Sequence, residues 1–260
     1  MDLQLKGRTA VVTGGNKGIG LAIVRALVAE GVDVTVATRT ESPDLAEFGE
    51  AVTWVGVDLT TRQGAELLAE RAGEVDILVN NLGGNIQRGL GAGGFLDIDD
   101  DAWQETFELN LFSAVRVTRG LLPGLLARRG VVISISSISG RIACGSMADY
   151  GAAKAALTFL GKALAEAYGA QGLRALTVTP GIVRTRSVTD PGGVYGPSAR
   201  AAGEELEEFL AKLPERLGIT VGRLAEPEEI AALVAFLASP LAGNQTGAEY
   251  LADGGVIKTV

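Results

Sequence analysis

The stretch DYGAAKAAL, residues 149–157, sets a tyrosine and a lysine four residues apart with small residues between them. On a helix that spacing puts Tyr150 and Lys154 on one face. A free phenol has a pKa of about 10 and is a poor base near neutrality. A nearby ammonium favours the phenolate and lowers that pKa. The pair can then give a proton to a carbonyl oxygen or take one from an alcohol. Ser137 ends an apolar run 13 residues before Tyr150, where its hydroxyl would hold a substrate oxygen beside the phenol.

Other chemistries are excluded by what is missing. The chain has no histidine and a single cysteine, Cys144. A Ser–His–Asp triad, a His-ligated zinc and an intrachain disulfide are therefore impossible. The acidic run DIDDD at 97–101 precedes the amphipathic WQETFELNLF. It reads as a helix N-terminus, where Asp caps free N–H groups and favours the dipole, and no metal site is expected. Net charge is −8, which argues against a general nucleic-acid or anionic-membrane binder. The start of the chain, MDLQLKGRTAVVTGG, has no apolar signal core, and one cysteine suits a reducing compartment, so a cytoplasmic location is expected. AALVAFLASPLAG, near the end, is too short to span a bilayer.

With 260 residues and 47% hydrophobic content, the chain suits one large domain, 1–260. Apolar β-branched runs at 8–13, 32–38, 51–58, 75–81, 131–137, 173–180 and near 248–252 predict strands. Helical spacing falls at 18–30 and about 61–72, 101–127, 149–169, 199–212 and 226–238. Strands apolar throughout, each followed by a helix, predict a parallel sheet covered on both faces: a doubly wound, Rossmann-like α/β fold. Gly-rich loops at 83–94 and 190–198 would lie where such sheets bind ligands.

The turn TGGNKGIG, 13–20, joins the first strand to the first helix. Gly14 allows the tight turn, Gly18 lets backbone approach a pyrophosphate, and Gly20 lets helix pack on strand. The turn reads as a dinucleotide site, where a cationic nicotinamide ring would lower the Tyr150 pKa further. At the end of the second strand an acid would accept from the 2′-OH of NAD. Here VTVATRTE offers Thr38 and Arg39 instead. Arg39, with Lys17 in the turn, suits a 2′-phosphate and favours NADP(H) over NAD.

Taken together the chain resembles the short-chain dehydrogenases/reductases almost from end to end. The matching pieces are TGGNKGIG, DL at 58–59, NNLG at 80–83, LNL with Asn110, ISSISG at 135–140, YGAAK at 150–154, PGIVRT at 180–185 and TGAEYLADGG at 246–255. The resemblance implies about seven strands in the order 3-2-1-4-5-6-7 and a homotetramer. It implies that Tyr150 is the general acid/base and that Lys154 lowers its pKa and binds the nicotinamide ribose. Ser137 would orient the carbonyl, and Asn110 would hold a water linking Lys154 to solvent. Asn16 and Ile19 would join the glycines of the turn as cofactor contacts. Asp58 and Leu59 would flank the adenine, and Asn80 and Gly83 would line the adenosine side. Pro180 and Gly181 would lead to Val183 and Thr185, which hold the carboxamide. One departure is Leu82, where the family usually has alanine; it would either reshape the nicotinamide end or repack locally.

The expected reaction is hydride transfer between a nicotinamide and a ketone or secondary alcohol, in the direction of reducing a medium-sized ketone. The substrate wall is expected from 83–96, 138–147 and 185–215, offering Arg88, Ile138, Arg141, Cys144, Met147, Arg186 and Tyr195. A second possibility is a 3-oxoacyl thioester on a carrier protein. In the carrier-protein reductases, which the chain also resembles, basic residues near this helix end, here Arg128 and Arg129, help to dock the carrier. Their simpler reading is a cationic helix C-terminus. A third is an NADP-binding sensor or scaffold with little turnover, against which the full Asn–Ser–Tyr–Lys set argues.

Overall fold

The computed structural model describes residues 1–85 and 94–259. Arg88 and the centre of the 83–96 loop lie outside them. Seven parallel strands form one sheet: β1 Thr9–Thr13, β2 Asp33–Thr38, β3 Val52–Gly56, β4 Ile77–Asn80, β5 Val131–Ile135, β6 Arg174–Pro180 and β7 Glu249–Ala252. Their order is β3-β2-β1-β4-β5-β6-β7, as the family resemblance implied. The order reverses between β1 and β4, which opens a crevice at their carboxyl ends. The central strands are buried on both faces, so β4 and β5 carry hardly an exposed residue.

One face is covered by α1 Gly18–Ala29 and α9 Pro227–Ala238, which join the sheet in one apolar core through Ile23, Leu27, Ile230 and Val234. The other is covered by α2 Arg62–Ala72, α4 Ser113–Ala127 and α5 Ala148–Tyr168, through Leu68, Leu121, Leu125 and Ala165. A third, smaller cluster stands apart from both. It joins Val188, Ala199, Phe209, Leu210, Leu213 and Leu224, from three short helices after β6 and the loop beyond them.

Two predicted helices differ in form. The expected helix at about 101–127 is α3 Asp100–Phe107 and α4 joined by a π-helical turn, Glu108–Phe112. There the Ser113 N–H bonds to the Glu108 carbonyl five residues back, and the Leu109 carbonyl accepts from the Ser113 hydroxyl at 2.7 Å. The expected helix at 199–212 is broken into α7 Gly196–Ala202 and α8 Leu206–Arg216, preceded by the short α6 Arg186–Thr189. The break is Gly203 at φ +69°, a left-handed conformation that glycine adopts without steric cost. Asp99 caps α3, accepting from the Ala102 N–H at 2.9 Å, as the acidic run predicted. No group of three or more His, Cys, Asp or Glu among the described residues could hold a metal ion. No helix among them is long and apolar enough to cross a membrane.

Candidate active site

The site is built at the sheet's reversal point. Thr13 ends β1 and faces the end of β4. Its hydroxyl donates to the Val79 carbonyl at 3.3 Å and accepts the N–H groups of Asn81 and Leu82, each at 3.0 Å. The Asn81 amide donates to the Thr13 and Gly14 carbonyls at 2.9 and 3.1 Å. The glycine turn is thus laced to the loop after β4. Gly14 and Gly18 sit at φ +67° and +55°. A Cβ on Gly20 would lie 2.2 Å from the Gly14 carbonyl oxygen and 2.5 Å from Asn81 Nδ2, so nothing larger than glycine fits. This brings the N-terminus of α1, with the free N–H groups around Ile19, up to the crevice, an arrangement suited to phosphate.

Asn81 was quoted in its motif but given no role by the sequence; its partners are 67 and 68 residues away in the chain. Its neighbour Asn80 is buried, with its amide donating to the Thr118 hydroxyl of α4 at 2.9 Å. Leu82 is partly buried. Its side chain packs against the apolar core on the α2 and α4 side of the sheet.

At the far end of the crevice, Asn16 Nδ2 and Thr38 Oγ1 both donate to the Thr40 carbonyl, at 3.0 and 2.9 Å. The Trp54 indole donates to Thr38 Oγ1 at 2.9 Å, a contact between β3 and β2 that the sequence did not announce. These bonds fix the turn that carries Arg39. Arg39 and Lys17 are exposed, and among the described residues neither takes part in a salt bridge. Asp58 lies close enough to feel Arg39. The Thr60 hydroxyl and N–H hold its carboxyl below the usual range, partial burial opposes them, and Arg39 adds to the lowering. Leu59 beside it is buried.

Across the crevice, β6 ends at Pro180. A Cβ on Gly181 would meet the Asp253 backbone at 2.9 Å, which demands glycine there. Val183 pairs with Ala225 in an isolated parallel bridge and is buried. Thr185 reaches back so that its methyl would lie 3.3 Å from a Cβ on Gly18. The two walls therefore approach each other over the phosphate end.

The four predicted catalytic residues converge. Ser137, just past β5, lies close enough to Tyr150, in the first turn of α5, for its hydroxyl to lower the phenol's pKa. Lys154, one turn later, is 3% exposed; its Nζ donates to the Ile135 carbonyl at 2.9 Å and lies 5.7 Å from the centre of the Tyr150 ring. Asn110 is fully buried in the π-helical turn. Its Nδ2 donates to the Gly84 and Thr106 carbonyls, each at 3.0 Å, and its Oδ1 accepts the Gly84 N–H at 2.9 Å. Gly83 fits between them: a Cβ there would lie 2.7 Å from Asn110 Oδ1 and 2.9 Å from Lys154 Nζ.

Burial pushes the Tyr150 phenol above its ordinary 10.0, and the Ser137 hydroxyl acts in the opposite direction. Lys154 lies beside the ring and is itself buried. Its own pKa falls to about 8, because burial disfavours the ammonium. The pocket by itself keeps tyrosine protonated and weakens the lysine charge.

The expected substrate wall divides. Arg141 is paired with Glu249 of β7, through bonds of 2.9 Å from its Nε. Both line a groove of about 490 Å³ behind α5, with Phe159 and Lys162, so Arg141 faces away from the crevice. Arg186 is exposed and reaches Asp190 at 3.5 Å. Cys144 is exposed, 3.3 Å from the Ser146 hydroxyl. Half-buried Ile138 follows Ser137, and half-buried Met147 precedes α5. Tyr195 packs on Phe209 in the third apolar cluster, with ring centres 6.2 Å apart, and burial pushes its phenol up to about 12. Arg128 is committed to Glu74 and Asp76 at 3.5 and 3.7 Å.

A protein-family model described as Enoyl-(Acyl carrier protein) reductase matches residues 14–257. An uncharacterized oxidoreductase of Bacillus subtilis (strain 168) is 36% identical over the full length of both chains. L-xylulose reductase of Bos taurus is 32% identical, again covering 100% of each. Among solved structures, the L-sorbose reductase of Gluconobacter frateurii, complexed with NADPH and L-sorbose, is similar with a TM-score of 0.88 and 31% identity, covering 100% of both chains. Agreement in sequence and fold over this length makes the chain an oxidoreductase of the short-chain dehydrogenase/reductase family.

Proposed function

We propose that the protein is an NADP(H)-dependent reductase of a medium-sized ketone, running in reverse as a secondary-alcohol dehydrogenase. The observation that carries this is the convergence of Ser137, Tyr150, Lys154 and Asn110 beside a glycine turn flanked by exposed Lys17 and Arg39. The cradle suits a dinucleotide, since glycine at 14, 18 and 20 lets the turn pack closely on the loop after β4 and on Thr185, which presents the N-terminus of α1 to the crevice. Lys17 and Arg39 would hold a 2′-phosphate. Asp58 and Leu59 would flank the base, and Val183 and Thr185 the carboxamide. When bound, the nicotinamide supplies the hydride and, in its oxidised form, a positive charge.

The chain's own residues supply the rest. The Ser137 hydroxyl holds the carbonyl oxygen beside Tyr150, and the Tyr150 hydroxyl gives it a proton as negative charge develops there. The raised Tyr150 pKa suits this direction, because the acid form is the one present. The phenolate so formed is stabilised by the Lys154 ammonium, which lies over the ring. A proton then returns from solvent to the phenolate, through a water held at Asn110 and then Lys154. Alcohol oxidation uses the same path reversed, with the positive nicotinamide favouring the phenolate.

L-xylulose reductase and L-sorbose reductase point to open-chain ketoses as the first substrates to try. The carrier-thioester reading is less favoured, because Arg128 is already tied to Glu74 and Asp76. The protein is further proposed to act as one domain, in the cytoplasm and as a homotetramer. The test is oxidation of NADPH and of NADH over a panel of ketoses, other ketones, aldehydes and 3-oxoacyl thioesters. Turnover of a ketone with NADPH favoured over NADH supports the proposal. NADPH binding with no turnover anywhere on the panel would support the sensor reading instead.

A further inference from the structure

We propose that Asp149 is a positioning residue that sets Asn110 against Lys154 through the hydroxyl of Thr106. The proposal rests on the ketone-reductase reading above. Asp149 directly precedes Tyr150, yet its side chain does not share the tyrosine's surroundings. It is 5% exposed, and a buried carboxylate is costly unless it is hydrogen-bonded. Its Oδ2 accepts from Thr106 Oγ1 at 2.6 Å, a short bond of the charge-assisted kind. Thr106 is fully buried on the last turn of α3, 43 residues away in the chain. The carbonyl of that same Thr106 accepts Asn110 Nδ2 at 3.0 Å. Asn110 Oδ1 then accepts the Gly84 N–H, next to the glycine that fits between Asn110 and Lys154.

A series of buried bonds therefore runs from the first turn of α5, which carries Tyr150 and Lys154, to the π-helical turn, which carries Asn110. The series has a physical reason to matter. The π-helical turn leaves the regular helical bond pattern, so the helix ladder alone does not fix the height of Asn110. The α5 N-terminus has no side-chain cap, so a negative charge in its first turn is favoured by the free N–H groups. That accounts for an acid at this place. It does not account for aiming the acid at Thr106, which the positioning role does.

The test compares Asp149→Ala, Asp149→Asn, Thr106→Val, Thr106→Ser and the double variant Asp149→Ala/Thr106→Val. Asp149→Ala and Thr106→Val should each lower kcat about tenfold, with KM and NADPH affinity unchanged. The double variant should be no worse than either single one, since both break the same link. Thr106→Ser keeps the donor and Asp149→Asn keeps an acceptor, so both should recover kcat to within about threefold of the native enzyme. Hydrogen exchange supplies a readout independent of turnover: in Asp149→Ala the Gly84 amide should exchange faster while the middle of α5 is unchanged. Losses that multiply in the double variant, an unchanged kcat in both single variants, or unchanged protection at Gly84 would each overturn the proposal. If the native protein turns over no ketone, the ketone-reductase reading fails, and exchange at Gly84 still decides whether the link positions Asn110.

Discussion

The two ends of the crevice are built on opposite plans. At the catalytic end, Asn110, Lys154 and Asp149 are almost wholly buried, and each is bonded to a group from another element. At the adenosine end, Lys17 and Arg39 are exposed and outside any salt bridge of the described residues. On the proposed reading, proton transfer needs fixed geometry and a low local dielectric, and these groups would be committed in advance. On the same reading, phosphate selection needs charge that is still available, and these two cations would be left for the ligand. The contrast implies that changes at one end alter turnover and changes at the other alter which cofactor binds.

The largest effect expected is that of Tyr150→Phe, which removes the acid and leaves the ring. Turnover should fall by about 10²–10⁴-fold, the usual contribution of a positioned acid or base, as steady-state kinetics would show. Gly83→Ala should come next. Its methyl would press on both Asn110 Oδ1 and Lys154 Nζ, and kcat should drop by about 10²-fold through displacement alone. Arg39→Ala should weaken NADPH about tenfold in a fluorescence titration and leave NADH nearly unchanged, the loss of one charged contact to the phosphate. A fall for both cofactors alike would mean that Arg39 supports the fold and does not read the phosphate.

A separate effect, on neither turnover nor binding, concerns pH and stability. Lys154 titrates at about 8 in the folded protein, below its ordinary 10.5. Between those values the unfolded chain holds a proton that the folded protein has released, so stability rises with pH. Below about 8 both states are protonated and the burial cost is present in full. Tyr150, raised above its ordinary 10.0, acts in the opposite sense at higher pH, so the useful window is about 8 to 10. Across it the native protein should gain up to about 3 kcal/mol relative to Lys154→Met in denaturant unfolding. A flat difference would mean that Lys154 is solvated.

The same contrast governs how much could be read from the sequence. The glycine turn, the seven apolar runs and the Tyr150–Lys154 spacing are local patterns, and local physics writes them directly into the chain. Ser137 and Asn110 needed the family pattern to stand out from neighbouring serines and from an ordinary helix. The π-helical turn was hidden because one added residue barely disturbs apolar periodicity. Asn81, Trp54 and Asp149 act through contacts with residues 16 to 68 positions away, which no spacing announces. Arg141 shows the converse. It lies close to Ser137 in the chain, yet a partner 108 residues on turns it to the other side of α5. The break at Gly203 in the helix expected at 199–212 was not legible because helical spacing continues across it.

The separation itself is tested most directly by titrating NADPH and measuring turnover on Tyr150→Phe and Arg39→Ala side by side. Each variant should fail in one measurement only: Tyr150→Phe should bind NADPH like the native protein and not turn over, and Arg39→Ala should bind weakly and regain native kcat at saturating NADPH. Loss of NADPH affinity in Tyr150→Phe, or a depressed kcat in saturated Arg39→Ala, would contradict the division of labour between the two ends.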